Sequence, residues 1–177
     1  ATERERSEEA LTRFKAVADQ YGSTEAGRLA RYREGSLLTA LGRPAEAIAA
    51  YRQVVDGAGD ELVGQMARLG LAEAHVQARE YDQAITVYQE LTASVSGSVP
   101  VEGILMQLAR AYRSAGRTDE ARQTFTRVVD EFSASPYRGE AQRELQAHPG
   151  GGPGDYARLT GEGVHRCSAL PGEFLRL

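Results

Sequence analysis

The amino-acid sequence predicts an all-α protein made of antiparallel helix hairpins stacked side by side, about eight helices in all. Three observations predict it. A landmark triplet recurs every 37 residues, each copy has the periodicity of a helix, and turn-forming residues fall where one helix must hand over to the next.

The triplet is small, aromatic, aliphatic. Ala10, Ala47, Ala84 and Ala121 are followed four residues later by Phe14, Tyr51, Tyr88 and Phe125, and three later again by Val17, Val54, Leu91 and Val128. Residues at i, i+4 and i+7 share one helix face, where the alanine admits a neighbouring helix and the ring fills the space beside it. The first triplet predicts a helix over 7–21. It is the second helix of a hairpin whose first helix is missing, which makes a longer natural chain at the N-terminus the expectation.

A complete hairpin follows, with helices over 24–41 and 44–57. Glu34-Gly35 puts a small residue where the partner helix must approach, Leu38 follows three residues later, and Gly42-Arg43-Pro44 ends one helix and starts the next. The same pattern predicts helices over 60–78 and 81–94, from Leu71-Ala72, His75 and Arg79. It recurs for 100–115 and 118–132, from Leu108-Ala109, Tyr112 and Gly116. Asp56-Gly57-Ala58-Gly59 and Ser94-Val95-Ser96-Gly97-Ser98 read as the longer turns between hairpins. A last helix over 136–147 enters through Phe132-Ser133-Ala134-Ser135-Pro136-Tyr137, with Arg138, Glu140, Arg143 and Glu144 on its polar side. The organisation predicted is a repeat domain over 1–148, comprising a half repeat at 7–21, repeats at 24–57, 60–94 and 100–132, and a capping helix at 136–147.

From 149 to 177 the character changes to a Gly/Pro-rich linker and an irregular tail. Two readings stand for the tail. It is an extension without structure, or a tethered peptide that docks on a groove of this molecule or a neighbour through Phe174-Leu175-Arg176-Leu177.

Composition bounds the function. With 41% hydrophobic and 26% charged residues the chain suits a globular protein, and a net charge of -4 argues against nucleic acid as a partner. No apolar run is long enough to cross a bilayer, so a membrane would be reached only through an anchor outside this chain. Catalysis needs convergent polar groups, and no phosphate loop, His-Glu-x-x-His or nucleophile elbow is present. His75 occupies a helix-contact position where Tyr112 stands one repeat later, so it reads as a structural residue, and His148 reads as solvated. His165-Arg166-Cys167 supplies two metal ligands where zinc needs three or four. The expectation is no enzyme, no catalytic residue, no metal site and no cofactor.

These landmarks, over about residues 7–147, resemble the tetratricopeptide repeat. The sequence departs from that pattern in its 37-residue period, against the usual 34 or so, in lacking a regular proline, and in having Arg31, Arg68 and Leu105 where the family places Trp. The resemblance implies a right-handed superhelix that serves as a protein–protein interaction scaffold, binding a peptide or protein on its concave side. Carried over residue by residue, the groove positions are Leu29, Tyr32, Ser36 and Thr39, then Met66, Leu69, Glu73 and Val76, then Gly103, Met106, Arg110 and Arg113. An apolar anchor with an acidic group near Arg110 and Arg113 is the ligand these imply, while Leu29, Leu69 and Met106 could equally pack between repeats. The family's carboxylate clamp needs Lys and Asn, and with Lys15 the one lysine and no asparagine the chain lacks it.

The Ser135-Pro136-Tyr137 turn is similar to one in bacterial cell-envelope repeat proteins, such as the Tol-Pal-associated periplasmic protein and outer-membrane assembly lipoproteins. That similarity implies a periplasmic assembly, with a cytoplasmic location as the alternative. A structural self-assembly module, in which the tail and the incomplete first hairpin contact neighbouring copies as a homo-oligomer, is the competing function.

Overall fold

A computed structural model describes residues 2–59, 61–94 and 100–147. Among them are eight α-helices: α1 (Glu3–Tyr21), α2 (Glu25–Ala40), α3 (Pro44–Ala58), α4 (Leu62–Gln77), α5 (Tyr81–Ser94), α6 (Val101–Ser114), α7 (Thr118–Glu131) and α8 (Arg138–Ala147). The linker and tail expected from 149 onward lie outside the described residues, as do His148, His165-Arg166-Cys167 and most of the Ser94–Ser98 turn. No described helix is long and apolar enough to cross a membrane.

Local chemistry sets the helix ends. Thr2 and Glu5 form a reciprocal capping box that starts α1 four residues earlier than the triplet alone indicates. Thr24 caps α2 by accepting from the Gly27 amide at 3.1 Å. Pro44 opens α3 at the position where its missing N–H costs nothing. Asp56 and Gly57, where the predicted helix and the predicted turn overlap, belong to α3, which runs one residue past the expected end to Ala58, and only Gly59 leaves the helix, at φ 54°.

The turns inside the three complete hairpins are copies of one another. Gly42, Arg79 and Gly116 all have positive φ, at 72°, 61° and 76°. The residue after each donates its amide back to the carbonyl five positions earlier: Arg43 to Leu38, Glu80 to His75 and Arg117 to Tyr112, each at 2.9 Å. This is the double-bonded left-handed helix ending, which satisfies carbonyls the helix leaves over. Side chains reinforce it in two copies. His75 Nδ1 lies 2.6 Å from Glu80 Oε2, and the Arg117 guanidinium sits 4.8 Å from the Tyr112 ring centroid. His75, read from the sequence as structural, is buried in that clasp.

Each helix packs on the one before and the one after, and α2 also touches α4. The triplets of α3, α5 and α7 fill the core, with Ala47, Tyr51, Val54, Ala84, Tyr88, Leu91, Ala121, Phe125 and Val128 all buried. Small residues opposite them let the first-type helices close in. A Cβ added to Gly35 of α2 would fall 2.8 Å from the Tyr51 ring, and one added to Gly70 of α4 would fall 2.4 Å from it. A second pair of glycines, Gly27 and Gly64, stands one repeat apart inside α2 and α4. Their Cβ atoms would lie 1.9 Å from the Tyr21 carbonyl oxygen and 2.3 Å from that of Gly59, so each marks where a helix crosses the end of the preceding hairpin.

Candidate functional site

The first-type helices α4 and α6 do not close completely on each other. Between them opens a cleft of about 490 Å³, with Leu69, Val76 and Ile104 on its walls and Tyr88 of α5 beneath. That volume accommodates a drug-sized ligand or a short run of peptide side chains. Tyr137, from the turn before α8, covers one end. It faces Gly103 of α6, where an added Cβ would lie 3.5 Å from the Tyr137 ring, an ordinary contact. The Ser135 hydroxyl accepts from the Tyr137 amide at 3.2 Å and fixes the turn that aims the ring.

The polar groups around this apolar slot differ in availability. Arg110 bonds to Glu140 of α8, and Arg113 bonds to Glu144. Both guanidinia therefore tie α6 to the capping helix. The expectation that they recruit an acidic group of a ligand is corrected by this pairing: the acids are supplied internally, by Glu140 and Glu144 on the polar side of the last helix. Glu73, in contrast, is exposed at the mouth and forms no ion pair among the described residues. Its charge reaches the floor, because burial first and Glu73 second push the Tyr88 phenol far above its ordinary value. Tyr88 is thus a neutral hydroxyl whose oxygen has no hydrogen-bond partner among the described residues, free to donate to or accept from a ligand backbone.

Of the predicted groove residues, Leu69, Glu73, Val76, Gly103 and Arg110 line this cleft. Arg113 lies beside it in its pairing with α8. Met106 is a correction, because it is buried at 1% exposure in the same core cluster as Ala141 of α8 and presents nothing to a partner. Thr39 is another. It is buried, its hydroxyl donates to the Gly35 carbonyl at 2.9 Å, and it serves with Ser36 to solvate the buried Tyr51 phenol. Tyr32 packs its ring 5.9 Å from that of Tyr51 and is a contact within the array. Leu29 and Met66 are exposed on α2 and α4, outside the cleft.

Sequence reasoning missed Tyr88, Ile104, Gln107 and Tyr137 as lining residues. Tyr88 was legible only as a core ring, since nothing in the triplet shows that its hydroxyl end emerges between two neighbouring hairpins. Arg31 was also missed. Standing where the family places Trp, it is largely buried and bridges Asp19 at 2.5 Å and Glu34 at 2.6 Å, joining α1 to α2.

A stack of helix hairpins with an open slot between successive first-type helices, among whose described residues no three His, Cys, Asp or Glu converge on a metal position, is an α-solenoid. The particular solenoid is settled by comparison: the tetratricopeptide repeat model matches residues 1–63, 32–99, 69–136 and 106–156, and the chain belongs to that family. Proteins of this family generally mediate protein–protein interaction on a non-catalytic scaffold. Among solved structures the chain is similar to the nearly identical TPR-like repeats of a putative kinesin light chain from Podosopora anserina, with 20% identity, 86% of this chain and 82% of that one covered, and a TM-score of 0.69. A point variant of the same repeats gives 20% identity, the same coverages and a TM-score of 0.67. At that identity the likeness concerns the fold, a right-handed superhelix of hairpins. No curated protein matches the chain. These matches support the repeat family and do not extend to the envelope subtype suggested by the Ser135-Pro136-Tyr137 turn.

Proposed function

We propose that this chain is a non-catalytic adaptor that grips a peptide segment of another protein in the cleft between α4 and α6, and that the peptide carries an apolar anchor next to a basic residue. The observation that carries this reading is the pairing pattern at the cleft: Arg110 is already neutralised by Glu140, while the exposed Glu73 carboxylate has no cation among the described residues. An apolar side chain fits between Leu69, Val76 and Ile104. The Tyr88 hydroxyl meets the peptide backbone, and Glu73 meets the positive charge at the mouth, where partial exposure makes it a selector more than a source of affinity.

The test is selection of peptides from a displayed random library on the full chain, followed by titration calorimetry. Apolar-basic sequences should enrich. Val76→Glu should weaken their binding by roughly tenfold or more, and Glu73→Lys should reverse the charge preference. Enrichment of acidic sequences, or binding indifferent to both substitutions with the circular dichroism unchanged, would show this assignment to be wrong.

We also propose that the adaptor works in a bacterial envelope assembly, a reading supported by the Ser135-Pro136-Tyr137 turn. Osmotic-shock fractionation of cells carrying a tagged chromosomal copy decides it: release with the periplasm supports the reading, and retention with the cytosol refutes it.

A further inference from the structure

Residues 148–177 lie outside the described residues, but the place where the structure hands over to them is set by α8. Arg110 and Arg113 of α6 pair with Glu140 and Glu144 of α8, so the two helices run side by side in the same direction. Ala147, the last residue of α8, therefore stands close to the level of Ser114, the last of α6. Ser114 and its counterpart one repeat earlier, Gln77, line the end of the α4–α6 cleft away from Tyr137 and Gly103. The sequence that continues from Ala147 thus departs beside the uncovered end of the cleft.

That continuing sequence contains Leu175-Arg176-Leu177, a cation with a leucine on each side. In an extended segment successive side chains point to opposite sides, so the two leucines share one side and Arg176 takes the other. The cleft has the matching pattern. Leu69, Glu73 and Val76 stand on successive turns of α4, with an exposed carboxylate between two apolar residues. They span about 10 Å along the helix, and the two leucines span about 7 Å along an extended chain. A segment entering at the Ser114 end sets Leu175 beside Val76 and Leu177 between Leu69 and Ile104, with Arg176 at Glu73. Charge favours this run: Arg110 and Arg113 are already paired, and Glu73 has no cation among the described residues. Reach is ample, since residues 148–173 can span up to about 85 Å whereas α6 is about 21 Å long.

We infer that Leu175-Arg176-Leu177 occupies the α4–α6 cleft of its own chain and is displaced by a partner, an inference that rests on the reading of this cleft as a peptide site. Covalent attachment gives the segment a local concentration on the order of millimolar, so a weak contact is enough to fill the cleft. A cleft filled in this way nine-tenths of the time, as a rough figure, lowers the apparent affinity for a partner about tenfold.

The full chain with Cys167→Ser and Gly172→Cys, carrying a nitroxide at position 172, tests this by methyl-resolved NMR. The nitroxide should broaden the methyl signals of Leu69, Val76 and Ile104, and Arg176→Glu should abolish the broadening. Mixing nitroxide-bearing chains with isotope-labelled chains that lack the nitroxide should leave these signals sharp. By calorimetry, a peptide selected on the cleft should bind the chain with Leu175→Ser and Arg176→Glu about tenfold more tightly than the natural chain. Broadening in the mixed sample overturns the inference, because the occupant would be a second copy. Release by Arg158→Glu in place of Arg176→Glu overturns it as well. Sharp cleft signals in the nitroxide-bearing chain, with a peptide that shifts them and binds both chains equally, overturn this inference and leave the adaptor reading standing. If no selected peptide shifts the cleft methyls in either chain, the adaptor reading fails and takes this inference with it.

Discussion

Gly70→Ala should destabilise this protein, although the same change in an ordinary helix does the opposite. Gly70 lies within α4, where exchanging an interior glycine for alanine adds about 1 kcal/mol through helix propensity. Here the new methyl would stand 2.4 Å from Cζ and 2.6 Å from Cε1 of Tyr51, about an ångström or more inside carbon–carbon contact, which is about 3.5 to 4.0 Å. The ring has little freedom to retreat. It is buried, and α2 already closes on it at Gly35, where a Cβ would be 2.8 Å away. Overpacking of this kind costs about 1–3 kcal/mol, and it adds displacement of a helix that both neighbouring hairpins use. Setting the upper part of that range against the propensity gain leaves a net loss of about 1–2 kcal/mol, or roughly 2–8 °C in melting temperature for a chain of this size. Urea unfolding followed by circular dichroism measures it. In a Tyr51→Leu background, which removes the ring, Gly70→Ala should regain its usual stabilising effect. Stabilisation by Gly70→Ala in the natural sequence would refute the claim that the hairpins are held at glycine distance around this ring.

Other consequences are smaller or more local. Arg79 occupies a left-handed turn position that its two counterparts fill with glycine, so Arg79→Gly should raise stability by up to about 1 kcal/mol, and Gly116→Ala should lower it by a similar amount. Urea midpoints read both. Glu140→Ala with Glu144→Ala removes both cross-ties from α8 to α6 and should raise hydrogen exchange over residues 138–147 while leaving α2 and α3 protected. The Asp19 carboxyl is held below its ordinary value by its hydrogen bond to Arg31 and then by Lys15. A depressed folded-state value means that the stabilisation is present above the ordinary carboxylate range and is lost as pH falls through the folded value. Asp19→Asn should therefore lower the melting temperature at neutral pH and flatten its decline between about pH 5 and pH 3. An unchanged acid limb would show that the pair contributes nothing.

The array was legible because its physics is periodic. Ala, aromatic and aliphatic residues at 37-residue intervals mark the one helix face that must always be covered, and Gly42 and Gly116 mark the one turn that needs a left-handed residue. Arg79 shows that the turn is dictated by the array and not by glycine alone. Gly27 and Gly64 carried a further signal at the same period, and their reason, crossing a carbonyl at a helix end, exists only once the hairpins are stacked.

The site was legible to a lesser degree. The groove positions repeat in register, but what lies above them does not. In the second repeat Leu69, Glu73 and Val76 face an open cleft, whereas in the third Met106 is buried and Arg110 and Arg113 are taken up by α8. A periodic rule assigns the three repeats the same surface. The end of the array breaks that equivalence, and the capping helix is encoded by residues whose pairing partners lie some 30 positions away.

The proposed function requires that the α4–α6 cleft be the surface that holds a partner. Methyl-resolved NMR of the full chain, titrated with an apolar-basic peptide selected on it, reads that claim directly. The largest shifts should fall on the methyls of Leu69, Val76 and Ile104, with the Tyr88 and Tyr137 ring signals moving alongside them. Shifts confined to α3, α5 and α7, or to the Phe14 and Val17 stripe of α1, would contradict it.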